Sequence, residues 1–421
     1  MDLIKAGVGE APIRFNKELF PTPGEGYTGV HDDIVAHAIC FEQGAAEKYV
    51  FLGLNLVGYQ DCESLKKLAH DITGAKAEHV LVHCNHNLAS PHGAMGTKSA
   101  ETERYDSFYK AAVSEAVSEA LKQAEAHMEP ADISFYTAVS KVNVSRIITL
   151  EEGMWQGTNE AGGSDHTVPV IKIDRSSDGR CMAILYAVNM APGVLEGSRL
   201  ENGDRLISGD IAGACEKYLQ RVFPGAVCCY CLGASGDQWQ ALRAVTDTVN
   251  AEGKLITEDL HETGFVYADA LGRKLASAIT MAVSKGARKE QGMISMETRD
   301  FIYAGQKELG RDFHLMHPGK VEFEPDEDVH SDTTVFMLGD IAVIAAHAEI
   351  NVETLAAIRA QTKCKKIFFM AFTNGAGGYM TEKEVYDGGG YQCRKSRFAR
   401  GSAELFAENI VSFLEEIKGG N

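Results

Sequence analysis

The sequence predicts an α/β fold, a mixed and largely parallel sheet with helices on both faces. Two observations predict it. Short β-branched and aromatic runs alternate with helical patterns for most of the length, as expected for strands joined by helices. The longest apolar stretches, 226–232 and 341–346, are strand-sized and far below the roughly 18 residues of a membrane span. In order, 48–55 reads as a strand and 63–72 as a helix with Leu65, Leu68 and Ala69 on one face. Residues 79–83 form the next strand, followed by a polar loop and an Ala- and Glu-rich helix from about 102 to 127. Strands follow at 133–142, 168–173 and 182–189. A helix over 207–222 leads to the strand 226–232, and another helix spans 257–284. The last third gives strand material over 335–346, a helix over 352–359, a strand over 366–372 and a closing helix over 402–417. No internal repeat, low-complexity segment or linker divides the chain, so residues 1–421 are expected to form a single catalytic-type domain.

Composition narrows the function. With 45% apolar and 24% charged residues, 42 Gly and 10 Pro, the chain is neither disordered nor collagen-like. Its 41 basic residues stand against 59 acidic ones, a net charge of −18. Nucleic acid needs a basic footprint that this chain lacks, and the same field repels anionic membranes. The ten cysteines show no paired spacing apart from the group Cys228, Cys229 and Cys231 inside an apolar run, a pattern of free thiols in a reducing compartment. No apolar core follows Met1 that would read as a signal peptide. The expectation is a cytoplasmic protein whose partner is a small-molecule substrate.

Ligand sites in such sheets gather in loops beyond the carboxyl ends of strands. The loop His83-Cys-Asn-His86-Asn-Leu88-Ala-Ser-Pro-His92 carries three imidazoles within ten residues, suited to a metal or to a polar surface loop. Tyr186 to Pro192 contains Asn189, and Leu232 to Trp239 contains Asp237. His347-Ala-Glu349 places an acid after a strongly apolar run, where a carboxylate is costly unless paired or metal-bound. A Gly- and Tyr-rich loop runs from Phe372 through Asn374, Tyr379 and Tyr386 to Tyr391. Gly375-Ala-Gly-Gly378 lacks the Gly-Lys-Ser/Thr of a phosphate loop, and Gly233-Ala-Ser235-Gly-Asp237 has Asp where a nucleophile elbow has Gly, so neither motif is adopted. Cys84 reads as a small buried thiol.

Taken in order, these loops resemble the catalytic N-terminal domain of the neutral ceramidase family, from Ala6-Gly-Val-Gly-Glu10 through Tyr27 to Asp33 and on to Tyr391. The resemblance is to that domain alone, and no counterpart of the family's C-terminal β-sandwich domain is expected within residues 1–421. The resemblance implies zinc. His86, five residues before Pro91, matches the first histidine ligand, Glu349 the glutamate and Tyr379 the tyrosine, with Asn374, Tyr386 and Tyr391 at the family's spacing. His83, His92 or Asn189 is the candidate fourth ligand, with water as an alternative. Arg146 matches an arginine near the substrate carbonyl, and Asp237 and Tyr391 complete the implied catalytic set. Asn189, Trp239, Leu88 and Asn374 are the implied substrate-binding residues. Two departures stand out: Asn189 replaces the second histidine ligand, and Trp239 replaces an essential serine.

The implied function is a divergent zinc-dependent hydrolase of a small amide- or ester-like substrate, using a metal-bound water, with ceramide itself not expected. Manganese or iron also suits a mixed nitrogen and oxygen donor set. The alternatives are a metal-dependent lyase or isomerase on the same scaffold and a non-catalytic ligand-binding protein.

Overall fold

The computed structural model describes residues 3–44, 47–93, 99–249, 251–252, 254–290, 292–308 and 321–419. Two sheets stack face to face. The first has eight strands in the spatial order Val227–Leu232, Cys181–Val188, Thr167–Arg175, Glu129–Val139, Lys5–Pro12, Val35–Gln43, Glu47–Leu54 and Val80–Cys84. The second is the long hairpin Ile294–Glu308 and Phe323–Leu338, followed by Ile341–Ala346 and Lys366–Met370.

The expectation of a largely parallel sheet is corrected. In the first sheet only Cys181–Val188 with Val227–Leu232 and Glu47–Leu54 with Val80–Cys84 run parallel; the other pairs are antiparallel. In the second, only Ile341–Ala346 with Lys366–Met370 is parallel. Helix placement is corrected too. Ile39, Phe41, Phe51 and Leu185 of the first sheet meet Phe336, Val343 and Phe368 of the second, so the inner face of each sheet is covered by the other. Helices pack outside: Cys62–Thr73 and Ala100–Ala126 on one half of the first sheet, Asp210–Val222 and Thr263–Val283 on the other, and Val352–Gln361 with Ser402–Gly419 on the second sheet. A strand caught between a sheet and a helix layer is apolar on both faces, as is a parallel strand between two helix layers. Ile341–Ala346, buried throughout, carries no sign that separates the two.

Local signals account for other differences. Gly339, at φ +62°, turns the chain within 335–346 and splits that run into two strands. Leu255–Asp259 is a strand, so the helix expected from 257 starts at Thr263. The opening strand is glycine-rich because the helix Ala100–Ala126 lies directly on it: a Cβ at Gly7 would stand 2.0 Å from the Ala124 carbonyl oxygen, and one at Gly9 2.1 Å from that of Ala120. Gly9→Val therefore has to push the helix off the sheet. A loss of about 1 to 3 kcal/mol is expected, read as a lower urea midpoint. No helix among the described residues is long and apolar enough to cross a membrane. All ten cysteines are free and buried.

Candidate functional site

Three short pairings bring distant loops together. The strand Asn143–Leu150 lies antiparallel to Gln238–Gln240, and Arg146 N–H donates to Asp237 O (2.9 Å), which sets Arg146 beside Gly236. Glu349–Ile350 runs parallel to Tyr379–Met380 with Glu349 opposite Tyr379. Gly236 N–H donates to Ile350 O (3.0 Å) and joins the two. Gly236 is required there, because a Cβ would meet Asn351 Oδ1 at 2.5 Å.

The result is a largely buried polar cluster, with Tyr379 and Tyr391 partly exposed at its edge. Arg146, 7% exposed, donates from Nε and Nη2 to Gly236 O (3.1 and 2.6 Å), which also accepts from Gln392 Nε2 (2.9 Å). Its guanidinium lies 5.3 Å from the Tyr379 ring centre and 5.7 Å from that of Tyr391, and the two rings meet edge to face. Ser235 Oγ donates to Glu349 Oε1 (2.7 Å), both side chains being buried. Burial works against the Arg146 charge, yet Tyr379, Glu349 and Tyr391 outweigh it and hold the guanidinium firmly protonated. Burial likewise raises both phenols, while Arg146 pulls them back down.

A cleft of ≈ 880 Å³ adjoins the cluster, lined by His86, His92, His347, Phe372 and Asn374 among others. The two share a wall. His347 lies two residues before Glu349, and Gly378, which also lines the cleft, accepts the Glu349 N–H (2.9 Å) and precedes Tyr379. His86 (φ +59°), Phe372 (+47°) and Asn374 (+58°) all take left-handed conformations, a concentration of backbone strain typical of functional loops. His86 Nδ1 is held by Val57 O (2.7 Å), and its ring meets Phe372 edge-on at 4.6 Å.

The residues singled out from sequence thus divide into groups. Arg146, Glu349, Tyr379 and Tyr391 converge in the cluster, whereas His86, His92 and Asn374 line the cleft. Asn374 Oδ1 also accepts the Val82 N–H (3.1 Å). His83 belongs to neither. Its Nε2 accepts from Leu232 N–H (3.1 Å) and its Nδ1 faces Thr373 Oγ1 at 3.5 Å; complete burial lowers its pKa to about 3, so it is a neutral pin between strands with no lone pair to spare. Asn189 commits both ends of its amide: Nδ2 donates to Asp165 Oδ2 (3.1 Å), and Oδ1 accepts the Ala234 N–H (3.0 Å). Trp239 is stacked by Arg243, 4.1 Å from its ring centre. Leu88 packs on the core of the second sheet, its N–H on Pro192 O. Asp237 Oδ1 accepts the Val352 N–H (3.1 Å) at the start of a helix, a capping role. No local signal in the sequence marks Gln392 or His347 as part of the site, and Ser235 is marked only by the imperfect nucleophile-elbow motif.

Asp237 makes stability pH-dependent. Burial raises its pKa to about 7 despite the Val352 N–H, and burial raises Asp210 to about 6 despite the N–H groups of Ile211, Leu195 and Val194. Both bind protons more tightly folded than unfolded, so their contribution is full below the ordinary value of 3.8 and is lost as pH rises toward 6 and 7. Each pH unit between the folded and unfolded titrations is worth about 1.4 kcal/mol. Buried His83, lowered to about 3, works the opposite way over this range, so the reading is the difference between wild type and Asp237→Asn, which keeps the acceptor: the wild-type urea midpoint is expected to fall relative to the variant's between pH 4 and 7. Parallel profiles contradict the burial of Asp237.

No family model and no curated protein matches the chain. Solved structures do. Neutral ceramidase from Pseudomonas aeruginosa superposes with a TM-score of 0.72 at 13% identity, over 98% of this chain and 74% of that one. A ceramidase complexed with C2 gives 0.73 at 12% identity, over 97% and 74%. The chain shares the ceramidase fold.

Proposed function

We propose that the chain is a hydrolase of a small amide- or ester-like substrate other than ceramide, working where the cleft meets the Arg146 cluster. The observation that carries this reading is the convergence of Arg146, Tyr379, Tyr391 and Glu349, contributed by segments more than 200 residues apart, behind the wall of the cleft. The shared fold supports it.

The chain's own groups have defined tasks. Gly236 O fixes the Arg146 fork, leaving a preset cation to stabilise charge developing on a carbonyl oxygen. Ser235 holds Glu349 in one orientation, and the two tyrosines exclude water around the guanidinium.

Zinc belongs to the proposal through His86, Glu349 and Tyr379. With Nδ1 on Val57 O, His86 keeps Nε2 uncommitted; Glu349 keeps Oε2, and burial raises the Tyr379 phenol while Arg146 offsets part of that rise. Three such donors with an open position suit a catalytic zinc, which would supply a Lewis acid at neutral pH. Among the described residues no three His, Cys, Asp or Glu side chains form a cation set, and no hydrogen bond or ion pair joins His86 to Glu349. Metal analysis of protein prepared without chelators tests the donors: wild type is expected to hold a divalent metal that His86→Ala and Glu349→Ala lose. Equal content in all three removes this metal set. A second reading, a non-catalytic ligand-binding protein, is favoured by Asn189, whose amide is locked between Asp165 and Ala234. A reducing compartment is part of the proposal, supported by the ten free thiols.

A further inference from the structure

A hydrolase needs a group that takes a proton from water and returns it to the leaving group, and the residues above leave that role open. Building on the hydrolase reading, we infer that His92, oriented by Glu25, is the general acid–base residue of the cleft. Glu25 grips it twice: Oε1 lies 2.7 Å from His92 Nδ1, and Oε2 accepts the His92 N–H at 2.8 Å. Tyr105 Oη donates to His92 O (3.2 Å) and Tyr109 Oη to Pro91 O (3.4 Å), so the backbone is held from the other side. A carboxylate against Nδ1 fixes the proton there and leaves the Nε2 lone pair for the cleft that His92 lines.

Two comparisons single this pair out. His31–Asp32, His261–Asp259 and His330–Asp300 share its chemistry, but none of them lines the cleft. His86 and His347 do line it, yet His86 is backed by a neutral carbonyl and His347 by no carboxylate within ion-pair distance among the described residues. A carboxylate stabilises the imidazolium as it forms; a carbonyl does so far less.

The reaction balances. His92 Nε2 takes a proton from water as the water oxygen bonds to the substrate carbonyl carbon and the π pair moves onto the carbonyl oxygen. When that pair re-forms the double bond, the carbon–nitrogen or carbon–oxygen bond breaks, and the leaving atom receives its proton from Nε2. Water and substrate are consumed, acid and amine or alcohol are released, and His92 is regenerated.

The test uses the full chain with p-nitrophenyl acetate and acetyl-p-nitroanilide as probes, and nitrogen NMR of labelled histidine. His92→Gln is expected to lose roughly a hundredfold or more in kcat with little change in KM, while the surface control His330→Gln keeps the wild-type rate. In the wild type the His92 ring is expected to carry its neutral-form proton on Nδ1, and Glu25→Ala to abolish that preference, which loss of mere packing does not do. A His92→Gln variant as fast as wild type, or a wild-type proton on Nε2, overturns the role. A wild type that turns over neither probe overturns the hydrolase reading itself, and this catalytic role with it.

Discussion

Arg146→Met is expected to destabilise the chain by about 3 to 5 kcal/mol and to lower turnover of an amide or ester probe roughly a hundredfold or more. The size follows from what the substitution strands. Glu349 and the two phenols lose the neighbouring cation, and Gly236 O loses two of its three donors, in a site where Arg146 and Glu349 are buried. An unpaired buried charge costs far more than a surface ion pair is worth. Arg146→Lys separates charge from shape: the ammonium restores part of the stability but cannot donate from two fixed nitrogens to one carbonyl, so activity stays low. Urea unfolding with initial rates checks both. An Arg146→Met variant of wild-type stability means that the cluster is not held by this cation.

Glu349→Gln is the second large effect. The amide oxygen can still accept from Ser235, so the local geometry is retained while the negative charge beside Arg146 disappears. Turnover is expected to fall roughly a hundredfold, as the preset electrostatics of the site are lost. Ser235→Ala provides the contrast. It removes one buried hydrogen bond, worth about 1 kcal/mol, but leaves the carboxylate, and it is expected to retain most of the rate. Equal loss in the two variants places the importance in the hydrogen bond instead of the charge.

What sequence reading captured and missed follows from which interactions leave a local trace. Glu349 stood out because an acid closing an apolar run must find a partner, and it accepts from Ser235. Tyr379 and Tyr391 stood out through the resemblance of their loop to that of the ceramidase family. The partners themselves were invisible: Ser235 is 114 residues from Glu349, Gln392 is 156 from Gly236, and Glu25 is 67 from His92, with no periodicity linking any of them. Asn189 entered as a candidate donor only through the resemblance, at the place of the family's second histidine; only folding shows that Asp165, 24 residues earlier, takes its amide. Most of the longer helices and several buried strands were legible within a few residues, since burial writes apolar runs and helical stripes into the chain, whereas Val35–Gln43, Asn143–Leu150, Gly153–Asn159 and Ile294–Glu308 were not read as strands. Strand direction was not, because a hydrogen-bonded neighbour can run either way without altering the run.

The most direct test of the hydrolase account is turnover of an amide or ester probe in water enriched in heavy oxygen, with mass analysis of the acid released. The account predicts that each turnover places one heavy oxygen in the acid product, and that Glu349→Gln and Arg146→Lys, folded by circular dichroism, make little of it. Product formed without the label, as elimination or isomerisation gives, or a substrate bound tightly and never cleaved, would contradict it.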